Sequence, residues 1–90
     1  MSNCWTFKFS KQAFEDYQEF AKHDIRIVKK INQLIENMLI DPEKGLGKPE
    51  ALKENLSGYW SRRITDRHRL VYTMKDNVIY IASCRFHYKK

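Results

Sequence analysis

Three strand-like runs, YWSRRIT (59–65), HRLVYTM (68–74) and VIYIASCRFHY (78–88), follow one another with only Asp66-Arg67 and Lys75-Asp76-Asn77 between them. Connections of two or three residues leave no room for a crossover, so these runs are expected to pair antiparallel as a meander. A meander presents an apolar face that something must cover, and the earlier half of the chain supplies the cover.

That half reads strand, helix, helix. WTFKF (5–9) alternates Trp5, Phe7 and Phe9 against Thr6 and Lys8, the period of a strand with one buried face. Ser10 then offers an N-cap to a helix whose stripe is Ala13, Phe14, Tyr17, Phe20 and Ala21. Asp24 is a second N-cap, before IRIVKKINQLIENMLI, where Val28, Ile31, Leu34, Ile35, Met38 and Leu39 recur at three- and four-residue spacing. Asp41-Pro42 ends that helix, because the residue before a proline is driven out of the helical region. The stretch 42–58 holds all three glycines and both prolines, so a long connection is expected, with a short helical turn around Ala51 to Asn55. The expectation is a single α+β domain over residues 1–90, its N-terminal strand and two helices packed on a mostly antiparallel sheet.

Ninety residues support one modest core, since a chain of this length buries only about 60 to 65 per cent of the surface its unfolded form exposes. No apolar run approaches the ~20 residues that span a bilayer, and MSNCWTFKFSK has neither a signal core nor a small-residue cleavage site, which points to the cytoplasm and to no membrane partner. Cys4 and Cys84 form no CxxC pair or metal-ligand set and are expected to be ordinary buried thiols.

Charge is divided unevenly. Residues 1–43 carry six Lys/Arg against seven Asp/Glu, whereas residues 44–90 carry eleven against four, so the positive field belongs to the second half. A polyanion is the implied partner, nucleic acid first and an acidic protein second. No phosphate-cradling glycine loop, metal cluster or Ser/His/Asp spacing accompanies it. What the basic half does hold is Glu50, Lys53, Arg62, Arg63, Arg69, His87 and Tyr88. Cleaving RNA without a metal or other cofactor takes a base for the ribose 2′-OH, cations for the phosphorane-like charge and an acid for the departing 5′-oxygen, and these residue types meet that need. Each also has a plainer reading. Glu50 after Pro49 fits a solvated helix-start carboxylate, Lys53 a surface lysine, Arg69 a cross-strand charge partner, His87 a strand-end histidine, and Tyr88 the closing edge of the core. Arg62 and Arg63 are adjacent in a strand and point to opposite faces, so at most one of them shares a face with any given site.

The arrangement decides between these readings. RIVKKINQLI (26–35), GLGKPEALKENLSGYWSRRIT (45–65), HRLVY (68–72) and CRFHY (84–88), in this order and spacing, resemble the YoeB (Txe) branch of the RelE-like bacterial toxins across nearly the whole chain. The resemblance implies a compact RelE-like fold and a ribosome-dependent mRNA endonuclease that cuts the message in the A site. It implies Glu50 as general base, His87 as general acid, Lys53, Arg63 and Arg69 as transition-state cations, and Tyr88 as a substrate contact; Arg62, beside Arg63 in the basic half, is expected as a further substrate contact. It further implies a YefM-like antitoxin, whose acidic segment folds over the basic face, the bacterial ribosome with its mRNA as target, and an option to form a homodimer. Leu46, Phe86 and the Lys89-Lys90 tail depart from the family pattern. Two rivals from another class are a non-catalytic ribosome- or polyanion-binding growth inhibitor and a ParE-like gyrase poison. The presence of both Glu50 and His87 speaks against them.

Overall fold

A computed structural model describes residues 4–86. In chain order the elements are β1 (Thr6–Phe9), α1 (Lys11–His23), α2 (Ile25–Ile40), β2 (Glu50–Ala51), a 3-10 turn (Glu54–Leu56), β3 (Trp60–Arg63), β4 (Arg69–Lys75) and β5 (Val78–Phe86). The two helices pack on one five-stranded sheet of order β1-β5-β4-β3-β2. Three of its four pairings are antiparallel and β1 runs parallel to β5, with Thr6 opposite Val78 and Phe9 opposite Ile81. The mostly antiparallel α+β architecture is therefore as expected. Among the described residues no helix is long and apolar enough to cross a membrane.

Local chemistry sets the element ends. The Ser10 hydroxyl accepts from Ala13 N–H at 3.0 Å and donates to the Ala82 carbonyl at 2.8 Å, so one side chain both starts α1 and ties it to β5. Asp24 separates the helices alone. Its N–H closes α1 on the Phe20 carbonyl and its carboxylate accepts from Arg26 N–H to open α2. Between β4 and β5, Asp76 and Asn77 both have positive φ, 54° and 64°, the pair of left-handed residues that a two-residue hairpin turn demands.

The core lies between the helices and one face of the sheet. Ile31, Leu34 and Met38 from α2 meet Leu70, Tyr72, Ile79, Ile81 and Cys84, all fully buried, with Ala13 and Phe20 of α1 closing the end. Four expectations need correction. Phe7 and Phe14 stay 41% and 49% exposed, because β1 is a sheet edge and these rings line an open groove with Phe9 and Tyr17 rather than the core. Ala21 is likewise exposed, and the inward stripe of α1 carries the buried Asp16 instead. Cys4 is exposed ahead of β1, while Cys84 is buried as expected. The helical turn of the long connection falls at Glu54–Leu56, because residues 50 and 51 are taken up as strand β2 against β3.

Candidate active site on the open face of the sheet

Strand β3 sends its two arginines to opposite sides. Arg62 points at α2 and has no exposed surface. Its Nε donates to the Tyr72 hydroxyl at 3.2 Å, Nη1 to Asn37 Oδ1 at 2.7 Å and the Leu46 carbonyl at 3.0 Å, and Nη2 to the carbonyls of Asp41 and Lys44 at 2.7 and 2.9 Å. A buried charge is tolerable only when its donors are satisfied, and here five acceptors meet the five-donor fork. Arg62 is thereby corrected from a substrate contact to an internal anchor of the 41–46 connection, since no donor is left for a ligand and no surface faces one. Burial also raises the Tyr72 phenol above its ordinary pKa; the hydrogen bond and charge of Arg62 pull the other way.

The face turned away from the helices carries the rest. Register places Glu50 opposite Ser61, and Arg63 opposite Arg69, which is itself opposite Phe86. Arg69 Nη1 donates to Glu50 Oε1 and to Ser61 Oγ, each at 3.1 Å. The Arg69 side chain is mostly covered whereas that of Glu50 is half exposed, so the carboxylate meets solvent and the guanidinium is held from behind. Such a pair contributes only about 0 to 1 kcal/mol to stability. Its value is geometric: a carboxylate and a guanidinium meet at one end of the sheet face, with Arg63 opposite that guanidinium in register. Lys53 is exposed two residues beyond β2, at the start of the 3-10 turn.

Of the residues expected in the site, the structure therefore brings together Glu50, Arg63 and Arg69, leaves Lys53 on the nearby surface, and removes Arg62. His87 and Tyr88 lie outside the described residues, directly after Phe86 in sequence. Two supporting residues escaped sequence reasoning. Ser61 shares the face of Arg63 by simple i, i+2 alternation, a signal that was there to be read. Asp16 is 5% exposed, and its carboxylate accepts from Cys84 N–H at 3.0 Å, Ser83 Oγ at 3.3 Å and Gln12 Nε2 at 2.8 Å. It serves β5 where the pairing with β4 shifts register, between the Val71–Ser83 and Arg69–Phe86 pairs. Irregular backbone of this kind exposes amides that the ladder does not take up, and a buried carboxylate receives one of them. Its sequence signal was a carboxylate at i+3 of the Ala13, Phe20 stripe. Among the described residues no group of three or more His, Cys, Asp or Glu converges as metal ligands.

With the geometry in place, relatives can be compared. The family pattern of the YoeB-like toxin of bacterial type II toxin-antitoxin systems matches residues 9–88. Toxin YoeB of Escherichia coli (strain K12) is 54% identical over 80 residues, 89% of this chain and 95% of that protein. Among solved structures, the YoeB dimer from Staphylococcus aureus superposes with a TM-score of 0.87 at 54% identity, covering 93% of this chain and 98% of that one. The heterotetrameric YoeB-YefM toxin-antitoxin complex from the same organism gives 0.85 at 54% identity, with the same coverage of each chain.

Proposed function

The chain belongs to the YoeB-like toxins of bacterial type II toxin-antitoxin systems, and from that premise we propose that it cuts mRNA in the ribosomal A site by acid/base chemistry on the open face of its sheet. Glu50 takes the proton of a ribose 2′-OH, and the freed oxygen attacks the adjacent phosphorus in line. Arg69, Arg63 and Lys53 stabilise the charge that builds on the phosphorane-like transition state. His87 protonates the 5′-oxygen as the P–O5′ bond breaks, and Tyr88 stacks on a base of the message. The products are a 2′,3′-cyclic phosphate and a 5′-hydroxyl end.

The observation that supports this reading best is Arg69 Nη1 shared between Glu50 and Ser61 with Arg63 across the strand, a carboxylate in contact with one cation and flanked by a second on a solvent-facing surface. For His87 and Tyr88 the support is the CRFHY resemblance and their place in sequence after Phe86, the partner of Arg69 in register. The partners we propose are a YefM-like antitoxin, by analogy with the S. aureus complex, the bacterial ribosome with its mRNA, and a second copy of this chain, by analogy with the S. aureus dimer. The site of action is the cytoplasm.

The test is cutting of a defined message on programmed ribosomes with the A-site ribose either native or 2′-deoxy. Cutting should vanish with the 2′-deoxy message, because the attacking oxygen is gone; undiminished cutting would refute the mechanism. Growth inhibition with no new 5′ ends in the message would favour the non-catalytic rival.

A further inference from the structure

We propose that Arg62 and Asn37 act together as a positioning clamp for the carboxylate of Glu50, so that a guanidinium that never meets substrate governs turnover. This rests on the reading of Glu50 as the general base. The connection from α2 to β2 has almost no structure of its own: residues 41–49 contain no helix or strand, and β2 is only two residues long. Its path is set from inside. Arg62 collects the carbonyls of Asp41, Lys44 and Leu46. Asn37 Oδ1 accepts both from Arg62 Nη1 and, at 2.9 Å, from Leu46 N–H, so the amide joins the clamp to the connection directly. The Tyr72 hydroxyl, which accepts from Arg62, donates in turn to the Pro42 carbonyl.

The held segment passes its position on to Glu50. Arg63 N–H donates to the Gly47 carbonyl at 2.7 Å, only three residues before Glu50. Gly47 has φ +80°, and a Cβ there would stand 2.8 Å from Leu34 Cδ2 and 3.1 Å from both Arg62 Cβ and the Arg63 carbonyl oxygen, so the chain lies against β3 as closely as a backbone can. From that contact only Lys48 and Pro49 remain to carry Glu50 to its place opposite Ser61 and beside Arg69. The outward strand position that holds Arg63 and the inward one that holds Arg62 are therefore two ends of one arrangement. Lysine cannot replace the inward end, because an ammonium offers three donors on a point and the five acceptors lie around a planar fork.

The closing experiment compares Arg62→Lys and Asn37→Ala, each alone and combined with Glu50→Gln, by single-turnover cutting on saturating programmed ribosomes, with ribosome affinity and thermal unfolding followed in parallel. Asn37 is only half-buried, so its variant keeps the test open if Arg62→Lys does not fold. Misplacement of a reacting group by about 1 Å can cost on the order of 100-fold in rate. The expected result is a loss of about tenfold or more in the cutting rate at unchanged ribosome affinity, shrinking to under about twofold once Glu50 is already Gln. Equal losses in both backgrounds, or losses that track unfolding of the protein at the assay temperature, would overturn the clamp while leaving the base assignment intact. Parental cutting by Glu50→Gln alone would refute the base assignment, and the route proposed for Arg62 with it.

Discussion

Arg69 Nη1 stands 3.1 Å from Glu50 Oε1 although 19 residues separate them in sequence, and the same nitrogen stands 3.1 Å from Ser61 Oγ. Strand pairing brings this about: β3 lies between β2 and β4, and the long arginine reaches across it.

Glu50→Ala and His87→Ala should each lower cutting on programmed ribosomes by about 10²- to 10⁴-fold, the usual worth of a positioned acid or base, with ribosome binding retained. Arg69→Ala should lose a comparable amount through the missing cation. Single-turnover rates near the parental value in any of the three would remove that residue from its assigned role.

Ser61→Ala deletes a fully buried hydroxyl whose partner is the guanidinium of Arg69. Its stability should fall by about 1 kcal/mol, as for one hydrogen bond, in a urea titration. Its cutting rate should fall further than that of a surface serine such as Ser57→Ala, because Arg69 then has one fewer restraint facing Glu50.

Asp16→Ala should be the most destabilising of these changes, by about 2 to 3 kcal/mol, since it strips the buried Cys84 N–H and the Ser83 hydroxyl of a charged acceptor together. Asp16→Asn, which keeps one acceptor oxygen, should recover part of the loss. Equal denaturation midpoints for Asp16→Ala and the parent would show that the carboxylate does not support β5.

The two thiols should behave differently. Cys4 is exposed and should react promptly with a thiol reagent, whereas Cys84 should react only after unfolding. Burial, with the nearby Asp16 charge adding to it, pushes the Cys84 pKa up to about 12 from its ordinary 9.0. Below pH 9 both folded and unfolded chains keep this proton, so stability is unaffected. Above it the unfolded chain releases the proton first, and stability should decline as pH rises towards 12, by up to about 1.4 kcal/mol per pH unit. Urea midpoints compared at pH 8 and pH 10.5 should show the fall, and Cys84→Ala should show less of it.

Much of this chain was legible because its signals are local. The Ser10 and Asp24 caps, the stop at Asp41-Pro42 and the Asp76-Asn77 hairpin each act within a turn of chain, where backbone sterics and short side chains decide alone. The helical stripe of α2 was legible for the same reason, since Ile31, Leu34 and Met38 lie on one face of any helix with that spacing. The grouping of Glu50, Arg63 and Arg69 could be anticipated through resemblance, and the opposite facing of Arg62 and Arg63 through strand alternation.

Alternation alone does not say which arginine faces inward. That choice, like the burial of Asp16 in place of Ala21 and the exposure of Cys4 and Phe7, depends on which side of the sheet the helices cover and which strand forms its edge. Sequence by itself determined every element except β2, along with the helix caps and the chemical types available for the site. Only the tertiary structure decided that β1 joins β5 in parallel, that five acceptors from α2, β4 and the 41–46 connection surround Arg62, and that Glu50 meets Arg69. These pairings join residues distant along the chain, and their free energy exists only once the sheet has assembled and water has left its inner face.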